Sequence, residues 1–288
     1  MRLVLVVGYD GQVFHGAARQ PGLRTVAGSL ERAASIVAQS RAVVRLAGRT
    51  DAGVHARAQV IAVSFPEDPA VHERLGEAER LAGRLERLAG PGLVVRRVAW
   101  GPDGFDPRRF ATWRHYLYRL SLARSAWAGA GLRWTVGPLD VELLAQALAG
   151  VRGELDATAL CRAGADGGYR RTVHAARVWV RGGGLVDVSV VGSSFCHEFV
   201  RRLVGNAVAV AAGRRSLAAW REAIDTGRRA VLSQVAPPWA LTLWRVGFDA
   251  EWRWSEARLV QLGFERDAAE LDPREEPTAW WSARGSSS

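Results

Sequence analysis

The stretch Ala47-Gly48-Arg49-Thr50-Asp51-Ala52-Gly53-Val54-His55-Ala56 gathers a carboxylate, a guanidinium, a hydroxyl and an imidazole into one turn-forming segment between two apolar runs. A carboxylate in that company can attack an electrophilic carbon or accept a proton. Gly48 and Gly53 permit a sharp turn and let a ligand approach the main chain. Arg49, two residues from Asp51, supplies positive charge that favours the ionised carboxylate and aims it. An isolated Asp-Ala-Gly would read as a turn capped by its own side chain.

Other chemistries fit the residues less well. His55 and the pair His197-Glu198 lack the clustered Cys/His spacing of a metal site, so no metal is expected, and His55 is expected to hydrogen-bond within the loop and so fix it. Gly192-Ser193-Ser194 lacks the Gly-x-Ser-x-Gly frame of a serine hydrolase. The chain has no lysine, so all 39 basic residues are arginine, which removes Schiff-base chemistry and a phosphate-loop lysine. A phosphate-ester hydrolase using Asp51 would need a metal or a lysine clamp. The formal net charge of +10 favours a polyanionic partner, since guanidinium groups grip phosphate bidentately and stack on bases. The adjacent pairs Arg108-Arg109, Arg170-Arg171 and Arg214-Arg215 suit a stripe along a nucleic-acid backbone.

The elements that must position these groups follow from periodicity. Strands are expected over 2–7, 42–46, 57–65 and 93–100, with an amphipathic helix over 29–39, whose apolar face holds Leu30, Ala33, Ala34 and Val37, and another helix over 69–88. Gly101-Pro102-Asp103-Gly104 breaks the chain. Beyond it come strands over 112–122, 173–181, 185–191 and 241–248 and helices over 141–149 and 195–212, with Gly182-Gly183-Gly184 as a hairpin turn. The division expected is an α/β half at 1–104 carrying the reactive loop, a second at 105–250, and a peripheral, tryptophan-rich segment with a flexible tail at 251–288. Cys161 and Cys196 match no disulfide framework, so a reduced cytoplasmic setting is expected. No apolar run reaches the length of a membrane span.

Gly48-Arg49-Thr50-Asp51-Ala52-Gly53-Val54-His55 and the strand after it resemble the signature of the A-type tRNA pseudouridine synthases. The resemblance runs in order from about Arg2 to Gly247. It takes in Tyr9-Asp10-Gly11, then Gly104-Phe105-Asp106 and the stretch to Tyr118, then Phe195 to Gly205, and Ala236-Pro237-Pro238-Trp239-Ala240-Leu241. The chain departs from the family pattern where Ala17, Ala27, Ala58, Ala157 and Ala240 replace larger or otherwise typical residues.

This resemblance implies an α+β pseudouridine synthase fold: two sheet-and-helix halves with adjoining, mainly antiparallel sheets and a central basic cleft. It implies an isomerase that converts uridine to pseudouridine at positions 38 to 40 of the tRNA anticodon arm without a cofactor. Asp51 would be catalytic; Tyr116 would stack on the extruded base, Leu241 would line the uracil pocket, Arg201 would be the basic partner and Arg49 would fill the space the nucleotide leaves. A homodimer gripping one tRNA anticodon stem-loop is implied as well. The alternative is a weak or silent tRNA-binding relative that keeps the loop while its contact residues have eroded.

Overall fold

A computed structural model describes residues 2–123, 132–164, 168–229 and 231–248. The expected peripheral segment at 251–288, with Trp252, Trp254, Trp280 and Trp281, lies outside the described residues.

The fold is mixed α+β around one large sheet. β1 (Arg2–Tyr9), β2 (Val43–Leu46), β3 (His55–Ser64) and β4 (Leu93–Trp100) come from the first part of the chain. β5 (Ala111–Ser121), β6 (Trp134–Thr135), β7 (Gly153–Asp156), β8 (Arg170–Val180), β9 (Leu185–Gly192) and β10 (Leu241–Phe248) come from the second. The main strand order is β4-β1-β3-β10-β5-β9-β8-β7, with β2 on β3 and β6 on β5. Every pairing is antiparallel except β5–β6 and β3–β10. The two parts of the chain thus share one sheet, joined where Thr242 pairs with His55 and Leu243 with Ala56. That seam lies directly after the reactive loop.

Helices cover the sheet where their apolar faces demand it. α1 (Val26–Ala38) starts on Thr25, whose hydroxyl accepts from the Gly28 N–H, and buries Leu30, Ala33, Ala34 and Val37. Fully burying one such leucine contributes about 2 kcal/mol. The helix expected over 69–88 is two helices, α2 (Pro69–Leu75) and α3 (Leu81–Ala89). Gly76 ends α2 at φ 63°, a left-handed angle that apolar periodicity does not register. After the short α4 (Pro107–Phe110), α5 (Val141–Ala149) is capped by Asp140, which accepts from the Leu143 N–H, and packs on α6 (Phe199–Ala211) and α7 (Leu217–Asp225). α6 begins four residues later than expected, because Glu198 at φ 67° turns the chain into it.

The expectation of two unpaired thiols is corrected: Cys161 and Cys196 form a disulfide, their Cα atoms 5.6 Å apart across a sequence separation of 35. Spacing along the chain does not report which loops the sheet brings together. No described helix is long and apolar enough to cross a membrane.

Candidate active site

β2 delivers the chain into the loop at 47–54 and β3 takes it away, so both ends of the loop are fixed in the sheet. Between them the loop is tied down on each side. Buried Gln59 of β3 donates to the Gly48 carbonyl at 2.6 Å and accepts from the Gly48 N–H at 3.1 Å. Thr50 shares a 2.8 Å hydrogen bond with the Tyr9 hydroxyl, and its carbonyl accepts from the Ala17 N–H at 3.0 Å. Burial pushes the Tyr9 phenol up to about 12, against the lowering pull of its bonds to Thr50 and Gln59. The Gly53 N–H donates to the Gly11 carbonyl at 3.1 Å, and a Cβ on Gly11 would stand 2.2 Å from the Val54 carbonyl oxygen, so this close approach requires glycine.

His55 does fix the loop, by reaching outside it. Its Nε2 lies 3.0 Å from the Trp239 carbonyl and its Nδ1 accepts from the Gly11 N–H at 3.2 Å. A carbonyl only accepts, so Nε2 carries a proton, and the Asp10 carboxylate lies 3.3 Å from Nδ1.

Asp51 projects from this loop into a cavity of about 990 Å³, its side chain 21% exposed. Arg201 Nη1 donates to Asp51 Oδ2 at 2.8 Å, and His197 Nε2 lies 3.1 Å from Oδ1. Arg49 lines the same cavity but is exposed and makes no ion pair with Asp51 among the described residues. The expectation that Arg49 aims the carboxylate is therefore corrected: the cation comes instead from Arg201 of α6. Arg201 is itself anchored, its Nε donating to the Ala236 carbonyl at 2.8 Å.

Tyr116 of β5 and Leu241 of β10 line the same cavity, 8% and 4% exposed. Tyr116 pairs across the sheet with Leu243 and Val190 and meets Phe195 edge-on at 5.4 Å. Burial above all, then Tyr9 and Asp51, pushes the Tyr116 phenol up, with Arg114 pulling the other way, so the hydroxyl keeps its proton at neutral pH. Of the paired arginines, Arg108 and Arg171 reach the cavity and the other four do not line it: Arg170 pairs with Glu154, and Arg215 donates to Asn206.

Two participants escaped sequence reasoning. One is His197, for which the sequence offers no more than a histidine beside Glu198. Arg114 of β5 is the other: its guanidinium bonds the carbonyls of Ala47, Arg108, Ala111 and Ser193 at 2.6 to 3.0 Å, tying the start of the loop to β5 and to the chain after β9. An arginine inside an apolar alternating strand is the signal that could have marked it. Ala17, Ala27, Ala157 and Ala240 are buried in the core, whereas Ala58 is half-buried.

Comparison with known proteins places this arrangement. A family model described as tRNA pseudouridine synthase matches residues 147–249. Proteins named tRNA pseudouridine synthase A are similar over most of their length. The one from Streptomyces griseus is 37% identical across 87% of this chain and 89% of its own. That from Frankia casuarinae is 40% identical across 84% and 88%. The one from Thermosynechococcus vestitus is 34% identical across 86% of each. Identity at this level over nearly whole chains shows common descent, and the chain belongs to the tRNA pseudouridine synthase A family, isomerases that act on uridine in tRNA.

Proposed function

We propose that this chain isomerises uridine to pseudouridine in the anticodon arm of tRNA, at positions 38 to 40, with Asp51 as the reacting group. The observation that carries the reading is the Asp51 carboxylate held inside the large cavity by Arg201 at 2.8 Å. The reaction breaks the N1–C1′ bond, turns the ring and forms C5–C1′; the proton leaves C5 and N1 gains one, so no electrons change hands and no cofactor is needed. A carboxylate suits each available route, attack at C1′, addition to the ring, or assistance to a detached base.

A uridine stacked in a stem must be extruded to reach the cavity. Tyr116 offers the extruded base an aromatic wall, worth about 1 to 3 kcal/mol per stacked base. Because its phenol is pushed up by burial, it serves as wall and hydrogen-bond donor rather than as the base that removes the C5 proton. Leu241 closes the apolar side of the pocket, and Arg49, exposed at the cavity rim, fills the gap left in the RNA. Arg49, Arg108, Arg114, Arg162, Arg171 and Arg201 line the cavity against the acids Asp51 and Glu198, which supports a basic cleft for the RNA backbone. Halves at 1–104 and 105–250 flank this cleft. One tRNA is gripped by a homodimer, and the reaction takes place in the cytoplasm.

The test uses purified chain and unmodified tRNA transcript. Pseudouridine formed at positions 38 to 40 by the native chain and abolished in Asp51→Asn is the expected result. Tight RNA binding without product, or full turnover by Asp51→Asn, would overturn it. Sedimentation with and without tRNA checks the dimer.

A further inference from the structure

The second oxygen of Asp51 has a partner to which the reading above gives no role. Arg201 donates to Oδ2 and His197 Nε2 stands 3.1 Å from Oδ1, so each carboxylate oxygen has a nitrogen beside it and the group cannot turn without giving up one of these contacts. The left-handed turn at Glu198 lets two side chains four residues apart converge on one carboxylate. Glu198 is itself fixed, its carboxylate pairing with Arg202 at 2.7 Å.

His197 is half exposed at the cavity mouth, and by itself such an imidazole would sample several rotamers. Its backbone is held. The His197 carbonyl accepts from the Arg162 N–H at 3.0 Å, and the preceding residue, Cys196, is bonded covalently to Cys161. Two successive residues of one segment are thereby fastened to two successive residues of another. The far segment is rigid in turn: the Cys161 N–H donates to the Ala157 carbonyl at 2.9 Å, and Arg229 Nε donates to the carbonyls of Cys161 at 2.8 Å and Thr158 at 3.1 Å.

We propose that His197 is a positioning residue for Asp51, and that the Cys161–Cys196 disulfide holds it in place, so that the oxidation state of this pair sets turnover. The inference rests on Asp51 as the reacting group. Holding a reacting carboxylate in one orientation lowers the cost of reaching the transition state, an effect on turnover more than on RNA affinity. On reduction, a dithiol gives two electrons and two protons to the sulfurs; the S–S bond opens to two thiols and the dithiol leaves as its own disulfide.

The experiment measures kcat and KM on unmodified tRNA for the native chain, His197→Ala, His197→Gln and Asp51→Asn, each oxidised and after dithiol treatment, with thiol titration to confirm two free thiols. His197→Ala should lower kcat about tenfold, the low end for a hydrogen bond to a charged group, with KM within about twofold. His197→Gln, which keeps an N–H at similar reach, should recover most of the loss. Reduction should lower kcat of the native chain and leave that of His197→Ala unchanged. Native kcat in His197→Ala, a loss confined to KM, or equal losses on reduction in both chains would overturn the proposal. If Asp51→Asn is inactive while His197→Ala is native-like, only this inference fails; if Asp51→Asn turns over normally, the reading of the site fails first.

Discussion

Gln59 shows how much of a reactive loop depends on a residue that touches no substrate. Its amide satisfies both main-chain groups of Gly48 inside the protein. Gln59→Leu keeps the bulk and strands those groups, so stability to urea should fall by about 1–3 kcal/mol, with turnover falling alongside. Arg114 makes a similar case with a charged group. Burial, the largest influence on it, pulls its pKa down, yet its guanidinium serves four carbonyls at once. Arg114→Lys retains the charge and loses the fork, so at least one buried carbonyl goes unpaired and the thermal midpoint should drop by several degrees in calorimetry. The sequence made Asp51 legible because its neighbours are unusual together. It left His197 illegible because that contact is created by a backbone turn at Glu198, a residue type that rarely takes left-handed angles.

Strands and helices bounded by strong punctuation were readable to the residue. Leu93–Trp100 lies between Gly90-Pro91-Gly92 and Gly101-Pro102, and Val141–Ala149 between Asp140 and Gly150. Where punctuation is a single glycine within an apolar period, as at Gly76, the boundary was missed, and where two loops meet across the sheet, as at Cys161 and Cys196, no local pattern exists. α6 depends on close approach. A Cβ on Gly205 would sit 2.8 Å from the Gln234 carbonyl oxygen and 2.9 Å from the Ala236 nitrogen. Because Arg201 on the same helix bonds the Ala236 carbonyl, pushing α6 away from that segment moves the cation of the site. Gly205→Val should therefore destabilise by about 2 kcal/mol or more through overpacking and lower turnover further than the loss of folded protein explains. Equilibrium unfolding and active-site titration separate the two effects.

Taken as a whole, the molecule combines a surplus of positive charge with a buried imidazole that resists it. His115 is fully buried in β5, bonded to Ser189 at 2.8 Å; burial, then Arg245 and Arg57, hold its pKa down to about 3 from 6.5. The unfolded chain binds the extra proton between those values. The stability due to neutral His115 is thus fully present above about pH 6.5 and is lost toward pH 3, with a slope of at most about 1.4 kcal/mol per pH unit. In urea titrations between pH 7 and 5, His115→Gln should show a flatter decline than the native chain. The same surplus should make tRNA affinity fall about tenfold between about 50 and 200 mM salt, and Arg162→Gln should shrink the logarithmic slope by about 0.7, as filter binding can measure. The seam between β3 and β10 has a further consequence for biosynthesis. Asp51 precedes Arg201 by 150 residues, and the strand that closes the sheet, Leu241–Phe248, emerges later still. A ribosome needs about ten seconds to cover that interval. A half-made chain therefore carries the carboxylate without its pocket, and competence arrives in one late step, once that strand has been made.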